Sequence, residues 1–338
     1  MTQLNTKDEI DLSNLFRFGH AVKFPSDKRP GFLSHKHCPS LWSLGAKLFN
    51  SSDGSMSLIE EIITCANMVF DFLDIDVNDG KRSEKLAFLE KDRQSIYIRA
   101  YSELISYIRH LFIYYDNKIS NEDLRQLIMS SNMWGWKTFF EKAANFYDKI
   151  TVTTYNYDIW LERILSTMEL GYNVFPFSNV PNCKFEIIKP HGSIDFVAKN
   201  DSKQMFSINY NVDLTPISIE SIEQARNSYE EYAKSIIIPP AGDSLRNSPA
   251  TWAGSLRLKA KEIASTMAED DDVVICGMSY WHVDRRELDE LLVNLHPKIN
   301  VTLVNPSPPK DLNAVLLSLF DSYIVFTSSH MLGEMLND

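Results

Sequence analysis

Cysteine is scarce and scattered: Cys38, Cys65, Cys183 and Cys276 are the whole complement of a 338-residue chain, and no two share a Cys-x-x-Cys spacing. This excludes a disulfide framework and a paired zinc module, leaving free thiols as the reading. Long hydrophobic runs are missing as well. No apolar stretch reaches the ~18 residues that cross a bilayer, and Met1 to Leu12 is polar and acidic rather than basic and then apolar. We therefore expect a soluble, cytoplasmic protein without a membrane partner. Positive charge is in deficit: 34 Lys and Arg face 45 Asp and Glu, a formal charge of -11 at pH 7. Such a balance opposes direct binding to a phosphate backbone, so nucleic acid is not the expected partner. Internal repeats and low-complexity tracts are absent.

Two clusters suggest metal and fail on inspection. His35-Lys36-His37-Cys38 alternates histidines beside one cysteine but lacks a second ligand pair, so it reads as a loop and no zinc is expected. Glu269-Asp270-Asp271-Asp272 stands just before an apolar strand, where a solvated turn accounts for it.

What the chain has is 44% hydrophobic content, sufficient for one large core or two ordinary ones. From about Met56 to Tyr147 it reads as helices. Tyr97, Tyr101, Leu104, Ile105, Ile108 and Phe112 recur at spacings of three and four and define one helical face. Ser120 ahead of Asn121-Glu122-Asp123 marks a capped start to a further helix. Met133-Trp134-Gly135-Trp136 adds aromatic bulk suited to packing between helices.

After Asp148 the pattern changes. Ile150–Thr154, Ile236–Ile238, Val273–Cys276, Val301–Val304 and Tyr323–Phe326 are short, β-branched or aromatic, and bounded by turn residues. Helix-length segments lie between several of them: Tyr157–Met168, Leu245–Met267, Asp284–Leu295 and Pro309–Leu319. Alternation of this kind indicates parallel βαβ units, in which ligands bind beyond the carboxyl ends of the strands. Chemistry is therefore sought just after each strand.

The first such junction holds Asn156 and Asp158. Their side chains either cap the following helix or meet ribose hydroxyls and water. Lys189-Pro190-His191-Gly192-Ser193 follows the apolar stretch Phe185 to Ile188. An imidazole there suits proton transfer near neutral pH, and the glycine admits close backbone approach, although a turn with a partly buried histidine gives the same letters. Ile236–Ile238 runs into Pro239-Pro240, Val273–Cys276 into Gly277-Met278-Ser279, and Val301–Val304 into Asn305-Pro306.

Taken in order, Thr154-Tyr155-Asn156-Tyr157-Asp158 with Leu161-Glu162, His191-Gly192-Ser193, Pro239-Pro240, Gly277-Met278-Ser279 with Asp284, and Asn305-Pro306 resemble the sirtuin-like family of bacterial antiphage defence proteins. The resemblance covers residues 150 to about 306. It implies an α/β fold, a doubly wound, mainly parallel Rossmann-like sheet with an inserted helical subdomain. The divisions are then 1–55 as an N-terminal nucleotide-loop segment, 56–148 as the helical insertion and 149–338 as the sirtuin-like domain. It implies NAD as substrate or ligand and, in an active member, cleavage of the nicotinamide–ribose bond by an NAD glycohydrolase. Asn156, His191 and Asp158 would be the catalytic residues. Thr154, Tyr155, Gly192, Gly277, Ser279 and Asn305 would hold the cofactor. Asn156, His191, Gly277, Ser279 and Asn305 are expected to converge on one cleft. Partners would be NAD or a related nucleotide, with a second copy of the chain or a defence-system protein.

The resemblance departs at the N-terminus. Members open with a Gly-Ala-Gly-x-Ser loop whose glycines let a diphosphate lie against backbone N–H groups. The nearest counterpart here is Leu15-Phe16-Arg17-Phe18-Gly19-His20-Ala21, with a single glycine, although Cys38-Pro39-Ser40-Leu41-Trp42 resembles the segment that follows the loop. Two readings follow: an NAD-hydrolysing effector, or a catalytically inactive sirtuin-like subunit that assembles with a partner.

Overall fold

A computed structural model describes residues 12–26, 29–47, 52–74, 96–130, 134–199, 206–208, 210, 217–226, 236–239, 251–280 and 285–336. In chain order its helices are α1 (Pro39–Ser43), α2 (Ser52–Asp74), α3 (Ile96–Asp116), α4 (Asn121–Ser130), α5 (Gly135–Phe146), α6 (Trp160–Thr167), α7 (Trp252–Thr266), α8 (Arg285–Leu292) and α9 (Lys310–Leu319). The strands are β1 (Ile150–Thr153), β2 (Tyr172–Val174), β3 (Phe185–Ile188), β4 (Phe196–Ala198), β5 (Ile222–Gln224), β6 (Asp272–Cys276), β7 (Asn300–Val304) and β8 (Ser322–Phe326). This is a mixed α/β fold. Two compact units emerge, Met1–Lys118 with His191–Trp252, and Ile119–Pro190 with Ala253–Asp338.

The first unit is built around α3. Tyr101, Leu104, Ile105 and Ile108 are buried, as their spacing predicts, while Tyr97 and Phe112 are half-buried. The helix also buries Glu103, Arg109 and His110, which a one-sided stripe does not anticipate. Burial is tolerated because most of these polar atoms find acceptors or donors, His110 Nε2 having none among the described residues. Glu103 accepts from the Ser40 and Leu41 amides (3.2 and 2.6 Å) and from the Tyr210 hydroxyl (3.0 Å), so its carboxylate closes the first turn of α1. Arg109 Nε donates to the Ile194 carbonyl at 3.2 Å. His110 Nδ1 lies 2.8 Å from the Ser106 carbonyl, which makes it the donor nitrogen. Phe32 stacks on His110, and Phe206 meets its edge. Strands β4 and β5 pair antiparallel in this unit.

The second unit contains two three-stranded parallel sheets, ordered β1-β3-β2 and β6-β7-β8. The latter shows how the sequence pattern becomes a core. Alternate residues Val301 and Leu303 of β7 and Ile275 of β6 face α8 and α9, which answer with Leu288 and Leu292, and Leu312 and Leu316, each pair one helical turn apart. Each such side chain contributes roughly 1.5–3 kcal/mol on burial. Ile236–Ile238, expected as a strand, forms only an isolated bridge at Ile237. Ser120 does cap α4: its hydroxyl accepts from the Asp123 amide at 3.0 Å while the Asp123 carboxylate accepts from the Ser120 amide at 3.2 Å. Trp136 packs on Phe139 and Phe140 of its own helix, α5, and Phe140 in turn meets Phe185 of β3; Met133 lies outside the described residues. Among the described residues no helix is long and apolar enough to cross a membrane.

Candidate functional site

The expected site residues fall into three local groupings. The first is the turn that leaves β1. The Thr154 amide donates to the Ile188 carbonyl at 2.9 Å, continuing the β1–β3 pairing by one residue. Thr154 Oγ1 then accepts from the Asn156 amide at 3.2 Å, and Asp158 Oδ1 accepts from the Trp160 amide at 3.0 Å at the entry to α6. Asp158 stands one residue ahead of the helix cap, Ile159, which makes no side-chain capping bond, so its carboxylate shapes the turn rather than serving as the cap itself. Asn156 is exposed, and its carboxamide bonds to no described residue; Tyr155 is half-buried.

Two residues of this turn's support carry no assignment from sequence. Lys189, fully buried at the end of β3, forms an ion pair with Glu162 Oε1 at 2.9 Å and donates to the Asp158 carbonyl. A lysine directly after the apolar run Phe185 to Ile188, and a glutamate one helical turn after Asp158, are the signals that could have revealed them.

The second grouping stands at the ends of β6 and β7. Cys276 and Val304 are register partners, so Gly277 and Asn305 leave neighbouring strands side by side. Gly277 has φ +65, with no described residue within 4 Å of where a Cβ would stand. Asn305 Nδ2 donates to the Met278 carbonyl at 3.2 Å and its Oδ1 accepts from the Ser307 amide at 2.9 Å, so the carboxamide ties both strand-end turns together. Ser279 is exposed, and its hydroxyl bonds to no described residue. Tyr280 closes the turn at φ +52; its hydroxyl donates to Asp289 at 2.6 Å, and the Arg285 guanidinium stacks 4.6 Å from its ring centre. Burial, reinforced by that bond, pushes the Tyr280 hydroxyl up to about 12. Asp284 lies outside the described residues.

His191 and Gly192 belong to the other compact unit. His191 is only 3% exposed, and its carbonyl accepts from the Ile238 amide at 2.9 Å. Gly192 has φ +80 and pairs with Ile237; a Cβ there would overlap the Ile236 carbonyl oxygen. The two motifs His191-Gly192-Ser193 and Ile236 to Pro239 therefore meet, with glycine required at their contact. Pro240 lies outside the described residues.

The N-terminal counterpart of the glycine loop takes a different course. Leu12–Phe18 is a 3-10 helix, after which the Gly19 and Ala21 amides donate to the Phe16 and Phe18 carbonyls at 3.1 and 2.9 Å. Gly19 packs directly on Leu33, where a Cβ would collide with that side chain. In the loop at 35–38, His37 stacks on Phe24 with ring centres 3.9 Å apart, and Cys38 Sγ donates to the Phe32 carbonyl. Among the described residues no group of three or more His, Cys, Asp or Glu is placed to hold a metal. Compared with protein-family models and with curated proteins, the chain matches none.

Proposed function

We propose that the protein is a sirtuin-like, NAD-binding protein of the antiphage-defence type, with a doubly wound Rossmann-like arrangement, that cleaves the nicotinamide–ribose bond. The observation that carries the reading is a pair of exposed polar groups, bonded to no described residue, at carboxyl ends of parallel strands. The Asn156 carboxamide after β1 and the Ser279 hydroxyl after β6 are exposed, the latter beside the open, left-handed Gly277. Strand ends of this kind are where α/β sheets take nucleotides. In the reaction the bond from ribose C1′ to the pyridinium nitrogen breaks, and its electron pair leaves with neutral nicotinamide. Water adds to C1′ and loses a proton, the step for which the resemblance implies His191 as base. Asn156 orients that water, and its amide dipole faces the cation-like transition state. Gly277 and Ser279 contact the adenosine half of the cofactor, with Asn305 shaping their turn.

A second reading, a catalytically inactive subunit that assembles with a second copy or a defence partner, draws on the N-terminus. The Gly19 and Ala21 amides that a diphosphate would need already bond to carbonyls of their own turn. Calorimetric titration with NAD, followed by assay of nicotinamide release with and without candidate partners, separates the two. Asn156→Ala or His191→Ala is expected to lower turnover by ~10²–10⁴-fold in a folded protein. Binding without release favours the inactive subunit. No binding under either condition removes the NAD reading.

A further inference from the structure

A lysine with no solvent contact is destabilising unless its partners are well placed, and an apolar pair of similar volume commonly serves the fold as well or better. Lys189 is such a residue, and its Nζ reaches two groups on the far side of the β1–α6 turn: Glu162 Oε1 and the carbonyl of Asp158. The residue before it, Ile188, accepts from the Thr154 amide at 2.9 Å. The last residue of β3 and the one after it thus grip both ends of the same turn, Ile188 at Thr154 and Lys189 at Asp158. Tyr155, Asn156 and Tyr157 are the span between the grips.

We infer that Lys189, held by Glu162, is a positioning residue that fixes the Thr154–Asp158 turn and so presents the Asn156 carboxamide. The inference rests on the NAD reading given above. A Lys189–Glu162 ion pair alone would tie β3 to α6; the bond to the Asp158 carbonyl adds a constraint on backbone that no apolar side chain reproduces. Glu162, in the first turn of α6, keeps the ammonium from turning away by holding it at 2.9 Å.

The decisive variant is Lys189→Met/Glu162→Met, which removes both charges together and leaves no buried ion unpaired. In this variant the Asn156 and Trp160 amides are expected to exchange with deuterium ~10-fold faster or more, while protection in β7 is unchanged. Nicotinamide release from NAD is expected to show kcat lowered ~10–100-fold with KM within about threefold, as loss of orientation requires. Glu162→Gln, which keeps the acceptor oxygen, is expected to retain kcat within about threefold. A folded double variant with wild-type kcat and exchange overturns the inference, as does a loss in Glu162→Gln equal to that in the double variant. Wild-type protein that takes up no NAD overturns the cofactor reading instead, and the exchange arm then decides by itself whether Lys189 holds the turn.

Discussion

Gly192 and Gly277 share a left-handed backbone, at φ +80 and +65, yet their surroundings differ. A methyl group on Gly192 meets the Ile236 carbonyl oxygen, a backbone atom that has no rotamer by which to retreat, whereas one on Gly277 meets no described residue within 4 Å. Gly192→Ala should therefore destabilise by about 2–5 kcal/mol, adding overpacking to the left-handed penalty. Gly277→Ala should show the left-handed penalty alone, about 1–2 kcal/mol. Urea midpoints at constant slope provide the comparison; equal losses would show that Gly277 is not open. Both glycines stood out in the sequence as motif letters. Which of them packs and which lies open was not legible there, because the Ile236 carbonyl comes from a segment more than forty residues away.

At the scale of elements, caps divide by distance along the chain. The Ser120–Asp123 box was readable because both partners lie within one turn. Closure of α1 by Glu103 was not, since its carboxylate arrives from the middle of α3, and α3 as a stripe of apolar residues gave no sign that it would bury charge. Burial raises the Glu103 carboxyl above its ordinary value, and the two amide donors hold that rise back. Glu103→Ala would leave the Ser40 and Leu41 amides and the Tyr210 hydroxyl without their acceptor, an expected loss of about 2–4 kcal/mol. Tyr210→Phe should cost about 1 kcal/mol. In a double-mutant cycle the two effects should be non-additive, because they share one carboxylate; strict additivity would contradict the shared contact.

For the molecule as a whole, His110 makes stability depend on pH. Burial, with the neighbouring Arg109 guanidinium adding to it, lowers the imidazole to about 3 from its ordinary 6.5. Below pH 6.5 the unfolded chain takes a proton that the folded protein refuses, so the penalty is absent at neutral pH, grows as pH falls and is complete near pH 3. Its full size is on the order of 5 kcal/mol. His110→Phe keeps the aromatic contacts with Phe32 and Phe206 and removes the titration. Denaturant titrations from pH 7 to pH 4 should therefore show a flatter acid limb for the variant; parallel curves would mean that His110 titrates normally.

Sequence by itself determined what depends on neighbours within one turn or one strand: the short β-branched runs that became β1, β6, β7 and β8, the i and i+4 leucines that α8 and α9 turn toward β6 and β7, and the Ser120 cap. Its period-2 and period-3.6 patterns state which face is apolar, and burial follows from that. Tertiary structure alone decided whatever needs a partner from afar. It reduced Ile236–Ile238 to a bridge on Gly192, turned Gly19 into a packing residue against Leu33, and placed Lys189 beneath the Asp158 carbonyl. The physical reason is common to all three: a hydrogen bond or a close approach is specified by coordinates, and residues distant in sequence acquire shared coordinates only when the chain has folded.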